Sequence, residues 1–208
     1  MNLGFDLKEW EETEAKEFGE YERLELGGHE VVIKTAELYE NAISHNKSLK
    51  VTVDIAGNDK QAGFFQKQYD DNNNADKKWA NGATRYMSLK SEHLAYTKGF
   101  ITALEKSNSN FKFDTSKGWE QLVNLKCAGV FGLEEYEKQD GTVGTTTKLQ
   151  NFRSLDKLNE IKIPRVKLLA GGTMDYEEYI KNGGNKSNDP ASVFGDGTIE
   201  ISDNFLDD

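Results

Sequence analysis

The most constraining feature of this sequence is a strict alternation of apolar and polar residues between Leu49 and Ile55. Every second residue of that run is leucine, valine or isoleucine, and the residues between them are a lysine, a threonine and an aspartate. Because successive side chains of a β-strand point to opposite faces of a sheet, this spacing predicts a strand with one buried face. A preceding run from His29 to Leu38 is rich in β-branched residues and predicts another strand. We therefore expect a fold built around a β-sheet.

The remaining elements are predicted in the order of a small barrel. Gly63 to Tyr69 suggests a third strand, and apolar residues at helical spacing predict a helix from about Ser88 to Lys106. Two more strands are expected within Trp119–Leu133 and Val143–Phe152, with a hairpin turn at Asp140-Gly141 between them. This order predicts a mainly β fold: a five-stranded, OB-fold-like Greek-key barrel with one helix between strands 3 and 4. The apolar stripe of the helix would consist of Leu89, His93, Tyr96, Phe100 and Leu104.

Charge is divided unevenly along the chain. Residues 1–30 and 171–208 each carry a net charge of −7, whereas residues 31–170 carry a net charge of +4. Net charge resolved by segment indicates the kind of partner that each segment meets. We divide the chain into an acidic N-terminal segment compatible with a helix (1–26), an OB-like domain (27–170), and a flexible linker with an acidic tail (171–208). The basic centre favours nucleic acid as a ligand, and the acidic end favours contact with other proteins.

Several classes of protein are disfavoured by patterns that the sequence lacks. No stretch approaches the 18 apolar residues of a membrane span, and the start lacks the basic and apolar regions of a signal peptide. The single cysteine, Cys127, cannot form an internal disulfide and fits a reducing cytoplasm. Paired Cys/His spacings, a nucleophile elbow and a metalloprotease helix are missing from the sequence. We therefore expect a cytoplasmic protein that is not an enzyme and has no cofactor or metal.

Two segments superficially match motifs of other functions. Asp70–Asp76 places oxygen ligands at alternate positions like a calcium loop, but Ala75 and Asn81 stand where the motif needs glycine and glutamate. Gly141–Lys148 has the wrong glycine spacing for a phosphate loop and is better interpreted as a turn entering a threonine-rich strand. A metal-dependent nuclease that uses scattered carboxylates such as Asp54 is a further hypothesis, but no spacing of residues in the sequence predicts it.

Several segments of the central region together resemble a known family. Phe18–Ile33 followed by Leu49–Val53 is similar to the opening of a group of small bacteriophage and prophage proteins, and Gly129–Tyr136, Phe152–Ser154 and Lys162–Leu168 agree with it. These proteins, long catalogued as a domain of unknown function, are regarded as single-stranded-DNA-binding proteins of the OB type. The resemblance implies a non-catalytic role in phage replication or recombination within the cytoplasm of a bacterial host. It also implies an acidic C-terminal tail that recruits other replication or recombination proteins.

Single-stranded DNA is bound by cations that follow the phosphates and by flat side chains on which bases stack. The cations expected to contact phosphates are Lys60, Lys67, Lys77, Lys78, Lys126, Lys148 and Arg153. The aromatic residues expected to stack on bases are Phe64, Phe65, Tyr69, Trp79, Phe131 and Tyr136. Because Phe64 and Phe65 would point to opposite faces of a strand, one of these two is expected to lie in the core.

The end of the chain resembles the usual ending of the family, an isoleucine-serine pair followed by acids and an apolar residue. Such tails commonly stop at proline-phenylalanine, whereas this chain has no proline there and ends in two aspartates, so a partner that requires a terminal phenylalanine carboxylate would not be satisfied. The alternative function is a protein-interaction adaptor with little affinity for DNA, which the low charge of the centre favours. The sequence leaves the oligomeric state open. The residues expected to bind a partner are Ile201, Asp203, Phe205, Leu206, Asp207 and Asp208.

Overall fold

The computed structural model of the chain describes residues 22–184, together with Lys8 and Glu11, and is mainly β. Its first two strands, β1 (Gly27–Glu40) and β2 (Lys47–Ile55), pair in antiparallel fashion. A third strand, β3 (Thr84–Ser88), pairs with the other edge of β2. The two strands expected from the alternation and the β-branched run are thus confirmed, and both extend further than predicted.

The second half of the sheet is built on a long hairpin. β4 (Lys126–Glu137) pairs with β1 and with β5 (Val143–Arg153), and both pairings are antiparallel. Two short strands, β6 (Val166–Lys167) and β7 (Thr173–Met174), extend the sheet from β4, and β6 is parallel to it. Within the described residues the sheet therefore has seven strands, compared with the five expected, and is mixed and not closed by hydrogen bonds.

Between residues 22 and 184, three helices accompany the sheet. They are α1 (Phe64–Asp71), α2 (Leu94–Ser107) and α3 (Tyr176–Lys181). Short 3₁₀ turns complete the described structure at Asn81–Ala83, Ser91–His93, Trp119–Leu122 and Leu155–Glu160.

The core lies on the face of the sheet that the alternation in β2 predicts. Leu49, Val51 and Val53 are fully buried there. Helix α2 covers this core with Phe100, whose ring lies 4.3 Å, centroid to centroid, from that of Phe152. Each such side chain contributes about 1.5–3 kcal/mol when it is fully buried. The core therefore fixes the position of β2, and with it that of β3.

The segment predicted as the third strand is instead helix α1. Gly63 begins it in the left-handed region with φ of 70°, and Asp54 Oδ1 accepts hydrogen bonds from the backbone N–H groups of Phe65 (3.1 Å) and Gln66 (3.3 Å). Neighbouring residues of a helix lie about 100° apart around its axis, so both can face the same core. Phe64 and Phe65 are accordingly both buried, and the expectation that only one of them is core is wrong.

The predicted central helix exists but begins later and has a different apolar stripe. Its expected first residues belong to β3 and the turn that follows, and α2 starts at Leu94. Phe100 and Leu104 are buried as predicted, whereas Tyr96 is 75% exposed. Thr97 is buried in its place, because the helix is rotated so that Tyr96 faces away from the core.

The predicted hairpin turn is present, whereas part of the predicted flexible linker is folded. The turn at Asp140-Gly141 is confirmed: Gly141 has φ of 77°, and the Lys138 N–H donates to Thr142 O at 2.8 Å. The linker prediction is wrong for residues 173–181, where β7 and α3 form and the Tyr179 side chain is buried. The tail residues 201–208 predicted to bind a partner, and most of the N-terminal acidic segment, lie outside the described residues.

Candidate nucleic-acid interface

Three of the aromatic residues predicted to stack on bases lie in the core. Phe64 and Phe65 are buried at the start of α1. Phe131 is fully buried, and its ring centroid lies 5.9 Å from that of Phe65. A buried ring cannot present its face to a base in solution. The assignment of these three residues to a nucleic-acid site is therefore wrong.

Three of the predicted phosphate-binding cations are already in ion pairs. Lys60 pairs with Glu25, Lys126 Nζ lies 2.8 Å from Glu30 Oε1, and Lys148 Nζ lies 3.1 Å from Glu134 Oε2. An exposed pair such as Lys60–Glu25 is worth little to stability, but each of the three pairs neutralises a charge that a phosphate would otherwise meet. Exposed side chains on separate elements include Lys67 on α1, Lys78 before β3 and Arg153 at the end of β5.

Two other predicted aromatics, Tyr69 and Trp79, do come together outside the core. Their ring centroids lie 5.6 Å apart, and Lys77 Nζ stands 4.6 Å above the Tyr69 ring. The Trp79 indole N–H donates to Val53 O at 2.9 Å, which fixes the ring against the end of β2. Lys34, which the sequence did not single out, lies 5.7 Å from the Trp79 ring. The remaining aromatic candidate, Tyr136, is half-buried and packs over Gly144 of the hairpin.

A cleft beside β3 collects cations that the sequence reasoning missed. It has a volume of about 290 Å³ and lies where β2, β3, the start of α2 and β6 meet. Four of the ten lining residues are arginine, lysine or histidine, and among the described residues that line the cleft none carries a carboxylate. The lining consists of Asn46, Ser48, Arg85, Tyr86, Met87, Ser88, Lys90, His93, Tyr96 and Lys167.

Arg85 is the central cation of this cleft. It lies opposite Val51 in the β2–β3 pair, so its side chain emerges on the core-facing side of an edge strand and is half-buried. Burial lowers the pKa of Arg85, and the charge of Glu134 acts in the opposite direction; a guanidinium nevertheless stays charged in proteins. Within the described part of the chain neither Arg85 nor Lys90 has an ion-pair partner. Both charges are therefore available to an anionic ligand.

Flat side chains flank the same cleft. Tyr96 is 75% exposed, and its ring centroid lies 6.4 Å from that of His93. On the other side, the rings of Tyr86 and Tyr39 meet at 5.0 Å in an edge-to-face arrangement on the surface of the β1–β2–β3 sheet. Burial raises the pKa of the Tyr86 hydroxyl, so it stays protonated at neutral pH. The cleft thus combines cations with the exposed ring of Tyr96, and the Tyr86–Tyr39 pair lies across β3 from Arg85.

Lys50 of β2 is a cation on the same face of the sheet as Tyr86. It lies opposite Tyr86 on β3 and opposite Glu37 on β1, and its Nζ donates to Glu37 Oε1 at 2.8 Å. This hydrogen bond raises the pKa of Lys50 above its ordinary value. Lys50 is therefore charged but shared, in contrast to Arg85.

The cleft could not be found from the sequence because its lining residues come from distant segments. The one local signal is the pair Arg85-Tyr86, which places a cation and an aromatic side chain on opposite faces of a short strand. That signal is weak because a five-residue strand among polar residues shows little alternation.

Metal-binding clusters, membrane spans and similar proteins would each give an independent indication of function. Among the described residues no three His, Cys, Asp or Glu side chains are grouped so as to hold a metal ion. No helix in the described part of the chain has the length and apolar character needed to cross a membrane. The sequence matches no protein-family model, and no curated protein is significantly similar to it. The chemistry of the cleft therefore carries the inference of function.

Proposed function

We propose that the protein binds single-stranded DNA in the cleft beside β3. The observation that carries this proposal is the cleft's lining, which has three Arg/Lys side chains and one histidine but no carboxylate in a chain of net charge −10. A cluster of cations without a neighbouring acid in its lining attracts polyanions to that part of the surface. Phosphodiesters are the polyanions that such a groove tracks in single-strand-binding proteins.

The cleft can contact both the phosphate and the base of a nucleotide. The Arg85 guanidinium is planar and can donate two parallel hydrogen bonds to one phosphate, while Lys90 and Lys167 act as point charges. The exposed ring of Tyr96 offers a face to an unstacked base, and such stacking contributes about 1–3 kcal/mol per base. Duplex bases are not free to stack in this way, so the arrangement favours single strands.

The fold supports the same proposal. The strands pair in the order β3-β2-β1-β4-β5, with α2 between β3 and β4 in the chain, as expected of a partly open OB barrel. A Cβ added to Gly82, just before β3, would lie 2.6 Å from Thr147 O of β5, so the two ends of this order approach closely. OB-folds bind oligonucleotides on the face of strands 2 and 3, and the cleft lies beside the same strands.

The biological role that we propose follows the resemblance of the sequence to phage and prophage proteins. The protein would coat single strands that are exposed during replication or recombination in a bacterial host, without catalysing a reaction. The acidic tail, with Ile201, Phe205 and Leu206, would recruit other proteins of the same process.

An adaptor function with little affinity for DNA is the second candidate. The observation that favours it is the pairing of Lys60, Lys126 and Lys148 with glutamates, which removes three of the charges predicted to meet phosphates. On this alternative the cleft would take an acidic peptide of a partner protein in place of a phosphate backbone.

The two candidates are separated by fluorescence anisotropy of a labelled oligothymidine titrated with the full chain. The salt concentration is varied from about 50 to 200 mM, the range over which phosphate contacts lose most affinity, with unlabelled duplex as competitor. We expect binding that falls steeply with salt and resists duplex competition. Absence of binding at the lowest salt would contradict the DNA-binding proposal and favour the adaptor.

A further inference from the structure

Glu134 is a buried carboxylate that lies between two lysines. Its side chain is only 8% exposed, Lys148 Nζ lies 3.1 Å from Oε2, and Lys167 Nζ donates a hydrogen bond to Oε1. Lys167 lines the basic cleft. Glu134 does not line the cleft itself, but it pairs with Lys167, one of the cations that the proposed ligand would meet.

Pairing with the two lysines keeps Glu134 ionised. A buried carboxylate is costly unless it is paired, and burial by itself would raise the pKa of Glu134. The charges and hydrogen bonds of Lys148 and Lys167 outweigh burial and hold that pKa below its ordinary value. Arg85 also interacts with the Glu134 charge. Glu134 thus pairs directly with Lys148 and Lys167, and its charge also reaches Arg85.

Resting on the DNA-binding function proposed above, we propose that Glu134 is a built-in counterion that competes with a phosphate of the bound strand for Lys167. In the free protein Glu134 fixes the Lys167 side chain at the wall of the cleft. When a phosphate enters, Lys167 is shared between the phosphate and Glu134, so part of its attraction is lost to the ligand. Glu134 is therefore a positioning residue that limits affinity and discourages binding of weaker polyanions.

The adjacent Glu135 provides a matched control, because its carboxylate contacts the C-terminal segment and not Lys167. Its Oε1 accepts a hydrogen bond from the Tyr179 hydroxyl at 2.8 Å, and its Oε2 accepts one from the Leu169 N–H at 3.0 Å. These contacts hold the C-terminal segment to β4, and Glu135 does not line the cleft. Glu135→Gln removes the same charge from the same strand without releasing Lys167.

The test compares the salt dependence of oligothymidine binding by the wild type, Glu134→Gln and Glu135→Gln. We expect Glu134→Gln to bind about three- to tenfold tighter at about 50 mM salt, with a log–log salt slope steeper by about 0.7, the value for one added phosphate contact. Glu135→Gln should bind within about twofold of the wild type with an unchanged slope, since it adds no phosphate contact. A Glu134→Gln variant with wild-type affinity and slope would overturn the proposal.

A double-mutant cycle keeps the result interpretable if Glu134→Gln also affects folding. In a Lys167→Ala background the gain from Glu134→Gln should largely disappear, because the cation for which the two anions compete is gone. An equal gain in both backgrounds would contradict competition for Lys167. If the wild type itself does not bind the oligonucleotide, the proposed function fails, whereas a binding wild type with no gain in the variant overturns only the role of Glu134.

Discussion

Asp54 shows how one buried carboxylate can determine where a helix begins. The residue is 5% exposed, and its Oδ1 accepts hydrogen bonds from the backbone N–H groups of Ile55, Phe65 and Gln66. The first N–H groups of a helix have no partner within the helix, and the helix dipole favours a negative charge beside them. Asp54 therefore caps α1 from a neighbouring strand. Its partners are backbone donors, whereas the nuclease hypothesis would place a metal there.

Replacing Asp54 tests this capping role. We expect Asp54→Ala to lower the free energy of unfolding by about 2–3 kcal/mol, because buried N–H groups lose a charged acceptor. Asp54→Asn keeps an acceptor oxygen at the same place and should cost about 1 kcal/mol. Urea denaturation followed by circular dichroism measures both values. A loss below about 0.5 kcal/mol in Asp54→Ala, the range of an ordinary surface substitution, would show that α1 does not depend on this cap.

Glu134 makes stability depend on pH at the acidic end. Its pKa in the folded protein is held below the ordinary value of 4.5, so its interactions stabilise the fold above that value and are lost as pH falls through the folded pKa. We expect the melting temperature of the wild type to fall more steeply below about pH 4.5 than that of Glu134→Gln, which has no carboxylate to protonate there. Melting curves between about pH 3 and 7 measure this difference. Parallel curves for the two proteins would contradict it.

At the scale of the element, the sequence predicts those segments whose signal is local. The alternation around Val51 and the Asp140-Gly141 turn each specify a strand or a hairpin without help from the rest of the chain. Helix α1 could not be predicted in the same way, because its start depends on Asp54, ten residues before its first residue. The predicted residues Tyr69, Lys77 and Trp79 are close in sequence and lie together in the fold, but they do not line the cleft. The cleft joins β3 to the distant β6, and such a long-range arrangement leaves no local signal in the sequence.

The turn before β3 packs against β5, and replacing Gly82 in that turn by alanine tests this contact. Gly82→Ala would place a Cβ 2.6 Å from Thr147 O, a backbone atom that cannot easily move, so we expect a loss of about 1–3 kcal/mol in unfolding free energy. Gly99→Ala is the control, since a Cβ there meets nothing within 4 Å and lies on α2. In a helix interior that change should stabilise the fold by about 0.5–1 kcal/mol. Equal melting temperatures for the two variants would contradict the close approach of β3 and β5.

At the scale of the whole molecule, acidic residues outnumber basic ones, yet the described residues that line the cleft include cations and no acid. Glutamates neutralise Lys60 and Lys126 on the surface, while Arg85 and Lys90 keep their charges in a cleft without acids. The negative charge belongs to residues 1–30 and 171–208, whereas the cleft lies on the central region of net charge +4, where a polyanion meets cations without acids. The overall charge of −10 is therefore compatible with binding a phosphate backbone at a single, defined site.

The most direct test of the central claim, that the cleft binds single strands, compares two arginine variants. Arg85 lies in the cleft, and Arg153 is an exposed arginine that does not line it. Fluorescence anisotropy with labelled oligothymidine should show Arg85→Ala binding at least about tenfold more weakly than the wild type, since a charge-assisted hydrogen bond is worth about 1.5–3 kcal/mol. The sequence predicts Arg153 as a phosphate contact, but if the strand binds in the cleft, which Arg153 does not line, Arg153→Ala should stay within about twofold of the wild type. Equal losses in both variants, or a loss only in Arg153→Ala, would contradict binding in the cleft.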